Sequence, residues 1–300
     1  MPLLVVGSIG IDTIEAPTGV ATDVLGGAAT YFSYAASFFT PVRLVGVVGE
    51  DFPAEHRRLL ESRNIDTTGL EVRPGSKTFR WRGKYSQDMN SRETLEVHLN
   101  VLGEFNPRLP ASYRRCPFIF LANGAPTTQL AVLDQMHEPK LAVADTMDLW
   151  IKTQHDELRR MLKRIDGLVI NDQEARMLAG TDNLIRAGRA IQAMGPRFVV
   201  LKKGEHGAMF FSRDETYVMP AYPTPDVIDP TGAGDSFAGG YMGFIASNGD
   251  SNPTSLKRAM AYGTVTASFT VEGFSLDRLA QIGRDDIDRR YEEYRLMTAF

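Results

Sequence analysis

The sequence predicts an α/β fold in which a doubly wound, mostly parallel sheet carries helices on both faces. Short runs of branched apolar residues that end in Gly, Asp, Asn or Lys are typical of buried parallel strands. These runs alternate along the chain with segments of helical periodicity, as expected for a covered α/β sheet. The chain has 300 residues, 43% of them hydrophobic, which suffices for a substantial core. We therefore interpret residues 1–300 as a single domain.

The individual elements follow from the same two patterns. The predicted strands are 3–8, 42–48, 118–122, 141–145, 167–171 and 198–202. The predicted helices are 28–39, 54–63, 127–136, 154–164, 174–178 and 184–194. In such sheets ligands bind beyond the carboxyl ends of the strands. Asp12, Asp145 and Asn171, each at or after a predicted strand end, are therefore candidate site residues on topology alone.

The segment 77–102 breaks the alternation of strands and helices. Residues 78–85 and 94–99 alternate polar and apolar side chains around a turn, which predicts an exposed β-hairpin. With the turn-rich stretch 11–23, the hairpin is expected to form a small β lid that excludes water from a site. A surface hairpin used only for dimerisation is the alternative, and the two roles can coexist.

Composition excludes several classes of function. The net charge of −4 and the absence of a dense Lys/Arg run argue against nucleic acid as a partner. Cys116 is the single cysteine, so neither a disulfide framework nor a cysteine metal cluster is possible. No apolar run approaches the roughly eighteen residues of a membrane span. We expect a soluble, cytoplasmic protein that does not bind membranes.

The motif Asp-Pro-Thr-Gly-Ala-Gly-Asp-Ser-Phe-Ala-Gly-Gly at 229–240 predicts a site for phosphoryl transfer. Its glycines allow the amides of Gly232, Ala233 and Gly234 to converge on one anion, and a helix that begins near Ala233 adds its positive end. Asp235 can then remove a proton from a substrate hydroxyl while the amides stabilise phosphoryl charge. The alternative is a glycine-rich turn capped by an acid.

This motif closely resembles the C-terminal signature of the ribokinase-like, or PfkB-type, carbohydrate kinase family. The resemblance extends over nearly the whole chain and includes residues 7–12, 26–29, 45–52, 171–174 and 202–207. It implies a ribokinase-like sheet with a small β lid. It also implies ATP-dependent, Mg²⁺-requiring phosphorylation of a hydroxyl, expected to be a primary CH₂OH, on a small sugar or sugar-like substrate.

On the acceptor side, the resemblance implies that Asp12 accepts hydrogen bonds from substrate hydroxyls, while Gly26 and Gly27 let the sugar approach the backbone. An aspartate after a strand is otherwise often a turn cap. Tyr31 departs from the asparagine that many sugar kinases of the family carry there. Its ring either stacks on a sugar or base or fills the core. Trp81 on the lid is suited to cover a base or a sugar.

On the nucleotide side, the resemblance implies that Asn171 and Glu174 organise the water molecules around an Mg²⁺ ion bound to the ATP phosphates. The same pair is also suited to cap the start of a helix. Lys202 and Gly204 belong to a strand and turn that resemble the family's nucleotide-side element. Lys202 either meets phosphate or is simply solvated.

Asp229 and Thr231 occupy positions that bind a monovalent cation in relatives, which makes K⁺ a candidate cofactor. Stabilisation of the turn accounts for them equally well.

Three rival functions remain for comparison with a sugar kinase. A nucleoside kinase of the same superfamily is the first, because such enzymes contact their substrates through aromatic side chains. A non-catalytic nucleotide or sugar sensor is the second. A dehydrogenase is disfavoured, because no Gly-x-Gly-x-x-Gly lies on the first strand, and the P-loop signature is absent. A homodimer formed through the lid is the expected assembly.

Overall fold

The computed structural model describes residues 1–299 and places the chain in two sheets flanked by helices. Within those residues the strands are β1 (Leu3–Val6), β2 (Gly10–Ala16), β3 (Gly19–Gly26), β4 (Val42–Gly49), β5 (Ile65–Arg73), β6 (Phe79–Tyr85), β7 (Arg92–His98), β8 (Phe118–Leu121), β9 (Leu141–Ala144), β10 (Gly167–Asn171), β11 (Phe198–Lys202), β12 (Ala208–Ser212) and β13 (Thr216–Met219).

The α-helices of the same residues lie mainly between these strands and after them. They are α1 (Ala28–Ser37), α2 (Ala54–Glu61), α3 (Pro126–Leu133), α4 (Asp148–Thr153), α5 (His155–Leu162), α6 (Asp172–Ala179), α7 (Leu184–Ala193), α8 (Ala233–Asn248), α9 (Pro253–Thr270), α10 (Asp277–Ala280) and α11 (Arg284–Met297).

The larger sheet has the strand order β13-β12-β11-β10-β9-β8-β1-β4-β5. All its neighbouring pairs from β11 to β5 are parallel, and β12 and β13 add an antiparallel edge. The predicted doubly wound, mostly parallel sheet is therefore confirmed.

Two buried clusters cover the two faces of this sheet, as strand alternation requires. In β1, Leu3 and Val5 face one cluster, which includes α1, α8 and α9, whereas Leu4 and Val6 face the other, which includes α3, α5 and α7. None of the helices described between residues 1 and 299 has the length and apolar character that a membrane crossing needs.

The smaller sheet has the order β3-β2-β6-β7. The predicted hairpin is present as the antiparallel pair β6–β7, and β2 pairs in parallel with β6. The stretch 11–23 forms β2 and part of β3, so it joins the hairpin in one small sheet as expected. Asp12 consequently lies inside β2 of the small sheet, in register with Trp81, and does not follow a strand of the large sheet.

Candidate active site

The backbone around Gly232 requires glycine for two reasons. Gly232 caps the N-terminus of α8 with a φ of 74°, a left-handed conformation that side chains disfavour. A Cβ at this position would also lie 2.3 Å from the ring of Tyr31. The helix start predicted near Ala233 is confirmed, so the positive end of α8 faces this loop.

The backbone amides of this loop differ in whether they already donate a hydrogen bond within the protein. Ala233 N donates to Pro230 O at 3.2 Å and closes a turn, so it does not face an anion as we expected. Within residues 1–299, the amides of Gly232 and Gly234 donate to no other backbone group. Lys202, at the end of β11, approaches Gly234 closely, with its Nζ 2.6 Å from the position that a Cβ of Gly234 would take. The start of α8 therefore has two amides without a backbone acceptor and an ammonium beside Gly234.

Asp235 lies in the first turn of α8. Burial raises its pKa above the ordinary value, while the positive charges of Lys202 and Arg92 act in the opposite direction. A carboxylate held near cations but out of bulk water retains basicity, as a proton acceptor needs.

Asp12 is 4% exposed and lies directly on the glycine pair. A Cβ on Gly26 would fall 2.0 Å from Asp12 Oδ2, and one on Gly27, whose φ is 98°, would fall 2.5 Å from Ser8 O. The glycines thus make room for the protein's own carboxylate and backbone, which differs from the expected direct approach of a sugar. Burial raises the pKa of Asp12 to about 7, with smaller contributions from the Asp229 and Asp235 charges.

Two further buried carboxylates have an oxygen that lacks a hydrogen-bond partner within residues 1–299. Asp145 Oδ1, just beyond β9, is one, and Asp229 Oδ2 is the other. Burial raises the pKa of both, and the Asp235 charge contributes at Asp145. Unpartnered buried oxygens are costly unless a ligand or water satisfies them.

The nucleotide-side candidates Asn171 and Glu174 form a capping box at the start of α6. Asn171 Oδ1 accepts from Glu174 N at 2.8 Å, and Glu174 Oε2 accepts from Asn171 N at 3.1 Å. Burial raises the pKa of Glu174, and the nearby Lys202 charge lowers it. Gly204, with a φ of 54°, begins the short 3₁₀ turn Gly204–His206 that follows β11.

The small sheet reaches across this region and contacts it at two points. Thr231 Oγ1 donates to Tyr85 Oη at 3.0 Å, which links β6 to the loop before α8. Asn90 Nδ2, at the tip of the β6–β7 hairpin, donates to Glu205 Oε1 at 3.0 Å. The small sheet therefore contacts both the loop before α8 and the turn after β11.

Sequence reasoning missed Arg92. It pairs across the hairpin with Tyr85 and places its guanidinium 5.2 Å from the Trp81 ring centre. Among the described residues, Arg80 and Arg82 form ion pairs with Asp23 and Glu15, whereas Arg92 has no carboxylate partner. Side chains on a strand alternate between its two faces, so Trp81 and Tyr85 share one face of the hairpin, and Arg92, paired with Tyr85, shares it too. This alternation could have identified Arg92 from the sequence.

Site residues that were predicted in different parts of the sequence influence one another's pKa through their charges. The charges of Asp229 and Asp235 act on Asp12, and those of Lys202 and Glu174 act on Asp145. The positive charge of Arg92 lowers the pKa of Asp12, Asp235 and Glu174 alike.

Comparisons with known proteins find a matching family model and several similar kinases. The family model described as pfkB family carbohydrate kinase matches residues 126–279. A cytidine kinase of Thermococcus kodakarensis is 30% identical over 249 residues, which cover 81% of this chain and 87% of the relative. A nucleoside kinase of Methanothermobacter thermautotrophicus is 35% identical over 234 residues, or 76% and 72% of the two chains.

The fold is also shared with solved structures. The structure of Burkholderia thailandensis nucleoside kinase in complex with inosine superimposes with a TM-score of 0.79 at 20% identity, covering 97% of each chain. The family model spans just over half of the chain, and the cytidine kinase matches most of it. The chain therefore belongs to the pfkB family of carbohydrate kinases and is an ATP-dependent kinase.

Proposed function

We propose that the protein transfers the γ-phosphoryl group of ATP to a primary hydroxyl of a nucleoside, with Asp235 as the general base. The observation that carries this proposal is the position of Asp235, one residue after the Gly234 amide and beside Lys202 at the start of α8. A base and an anion site this close suit a hydroxyl that loses its proton as it attacks phosphorus.

Each group has a distinct task in this mechanism. Asp12 holds acceptor hydroxyls, and Asp235 takes the proton of the attacking one. The Gly232 and Gly234 amides, the end of α8 and Lys202 stabilise negative charge on the phosphoryl group. Positioning and electrostatics supply most of the catalysis in such reactions.

The residues present suit Mg²⁺ bound together with ATP phosphates. Within residues 1–299, no group of three His, Cys, Asp or Glu could hold a metal ion alone. Mg²⁺ commonly keeps several waters and takes its other ligands from phosphates and one or two carboxylates. Glu174 and Asn171 would orient those waters, and the ion would neutralise phosphate charge. Asp229 Oδ2 and Thr231 suit a K⁺ ion beside the same loop.

The small sheet would act as a lid in this mechanism. Closure over Asp12 and Asp235 excludes water, which protects ATP from hydrolysis. Arg92 belongs to this lid and lacks a carboxylate partner among the described residues. We assign Arg92 to the negative charge of the phosphates, because guanidinium groups bind phosphate oxygens well.

A nucleoside is favoured over a free sugar by the inner face of the lid. The Trp81 ring, stacked with Arg92 and donating from Nε1 to Thr94 Oγ1 at 3.2 Å, is a fixed aromatic surface in register with Asp12. Such a surface suits the flat face of a base. The cytidine kinase and the inosine-bound nucleoside kinase support the same choice. A small sugar, expected from the family signature, is the second candidate.

The test measures ADP release from MgATP across ribonucleosides, deoxyribonucleosides, pentoses, hexoses and sugar acids. The wild type should respond to a nucleoside, and Asp235→Asn should lower turnover roughly 10²- to 10⁴-fold, the usual contribution of a general base. Thermal unfolding should be little changed, because burial already disfavours the charge of Asp235. Asp285→Asn, at an exposed position in the first turn of α11, is the matched control. Near-normal turnover in Asp235→Asn would refute the assignment.

A further inference from the structure

The edge strand β5 has different chemistry on its two faces. Leu70 belongs to the buried cluster that includes α1, so one face of the strand is part of the core. Gly69, Glu71 and Arg73 alternate onto the other face, and Gly69 is in register with Val45 of β4. Val45 belongs to the cluster that includes α3, but within residues 1–299 no residue of β5 does. This face of β5 therefore carries charged side chains beside a buried apolar neighbour.

A cavity of about 400 Å³ lies on this face of the strand. It is lined by Val45, Gly46, Gly69, Glu71 and Arg73 of the sheet and by the segment 105–108. Its size is within the range of small-molecule sites. The strand β5 is six strands from β11, or roughly 28 Å across the sheet, so the cavity is separate from the nucleotide-side residues.

The charged groups of the cavity include one free cation among the described residues. Arg73 Nη2 donates to Glu71 Oε1 at 2.9 Å, and Arg73 Nη1 lies 3.6 Å from Glu104 Oε2, so two carboxylates neutralise Arg73. Within residues 1–299, the side chain of Arg108 has neither a hydrogen-bond partner nor an ion-pair partner. A guanidinium without a protein partner is suited to bind a phosphate group.

The rest of the segment 105–108 suits a flat apolar group next to that phosphate. Phe105 packs against the cluster that includes α3, and Pro107 is buried, so both have fixed positions. The exposed side-chain amide of Asn106 has no partner within residues 1–299 and can both donate and accept hydrogen bonds. A nucleobase combines an apolar face with a polar edge of this kind.

The segment 105–108 is held in place where the lid returns to the large sheet. The short 3₁₀ turn Asn100–Glu104 precedes it and follows β7. In this turn Val101 N donates to Lys77 O at 3.2 Å, and Asn100 Nδ2 donates to Thr78 O at 2.8 Å. These bonds join the two ends of the hairpin. The cavity wall is therefore preformed, which lowers the entropic cost of binding.

We propose that this cavity binds a nucleoside monophosphate, with the phosphate on Arg108 and the base against Phe105 and Pro107. The inference goes beyond the proposed function, because binding here needs neither phosphoryl transfer nor Asp235. Glu71 limits the affinity, since its carboxylate repels a phosphate in the same cavity and occupies Arg73.

Calorimetric titration of the full chain with CMP and with AMP, without ATP or acceptor, tests the site. Arg108→Gln should weaken binding at the cavity about ten-fold or more, because the phosphate loses charge-assisted hydrogen bonds. Glu71→Gln should strengthen the same binding about three-fold, because it removes a like charge and releases Arg73. Arg115→Gln is the matched control, since Arg115 is also exposed but does not line the cavity.

Inorganic phosphate and cytidine examine the two halves of the ligand. Each should bind the Arg108-dependent site at least ten-fold more weakly than CMP, and phosphate that bound as tightly would refute the place of the base. If Arg108→Gln and Glu71→Gln both titrate like Arg115→Gln, the cavity binds no nucleotide and the inference is wrong. A single CMP site that cytidine displaces would also overturn it. Turnover is not measured, so a failure of the proposed function leaves this test intact.

Discussion

Arg92 shows how one residue of the lid influences the protonation of the whole site. Its charge lowers the pKa of Asp12 and Asp235, against the stronger effect of burial, which raises both. Sequence analysis identified the carboxylates from their motifs. It missed Arg92, because an arginine in an exposed hairpin is indistinguishable by type from Arg80 and Arg82, which face the other side and form ion pairs.

We predict that Arg92→Gln lowers kcat/KM at pH 7 roughly 10- to 10²-fold and shifts its pH dependence. An ionised Asp12 accepts hydrogen bonds from substrate hydroxyls more strongly than a protonated one, so kcat/KM should rise with pH through its pKa of about 7. Removing a nearby positive charge raises that pKa, so the rise should move to higher pH. pH–rate profiles of the two proteins measure this shift.

Arg82→Gln is the control, because Arg82 belongs to the same hairpin but pairs with Glu15 at 2.5 Å. Its profile should match that of the wild type. If the Arg92→Gln profile also matched it, Arg92 would have no electrostatic role in the site.

At the scale of elements, the hairpin tip joins the lid to the nucleotide side. The turn is ordered internally, with Ser86 N donating to Ser91 O at 2.9 Å and Asn90 N to Asp88 Oδ1 at 3.1 Å. This order presents Asn90 to Glu205, a residue 115 positions away. We therefore expect closure over an acceptor to be coupled to the turn after β11.

We predict that Asn90→Asp raises the acceptor KM about three- to ten-fold, because two carboxylates would then face each other at the contact. Steady-state kinetics at saturating MgATP measure the effect. The double variant with Glu205→Gln should recover most of the loss, since the new carboxylate would meet an amide donor. A double variant as impaired as Asn90→Asp would show that the contact does not control closure.

The hairpin and the buried parallel strands were predictable from periodicity alone. The strands β5 and β13 were not, because they lie at the two edges of the large sheet and their burial is interrupted by exposed residues. The buried strand β12 was not predicted either. The short helix α4, with six residues, also escaped prediction, since it has too few turns to show a period.

At the scale of the whole molecule, the motif at 229–240 and the strand ends predicted candidate site residues but not the contacts between them. The capping box of Asn171 and Glu174 and the packing of Asp12 on Gly26 depend on distances that no spacing in the sequence reveals. Tyr31 was the hardest to interpret, because its ring packs against Gly232 while its buried hydroxyl has no partner among the described residues.

We predict that the protein forms a homodimer through its small sheets. All seven residues of the edge strand β7 are exposed, and Leu95 and Leu99 are 43% and 46% exposed. Such an edge favours pairing with another strand. Sedimentation velocity should show a dimer for the wild type and a monomer for Leu95→Lys/Leu99→Lys. A wild type that stays monomeric at all soluble concentrations would contradict the assembly.

The central place of β1 in the large sheet has a consequence for biosynthesis. Its neighbours are β4 and β8, so Leu3 pairs with Val42 on one side and Phe118 on the other. A ribosome must therefore deliver about two fifths of the chain before the first strand is paired on both sides. Until then β1 and β4 have an open, apolar edge, and early in synthesis the nascent chain is most exposed to aggregation and most dependent on chaperones.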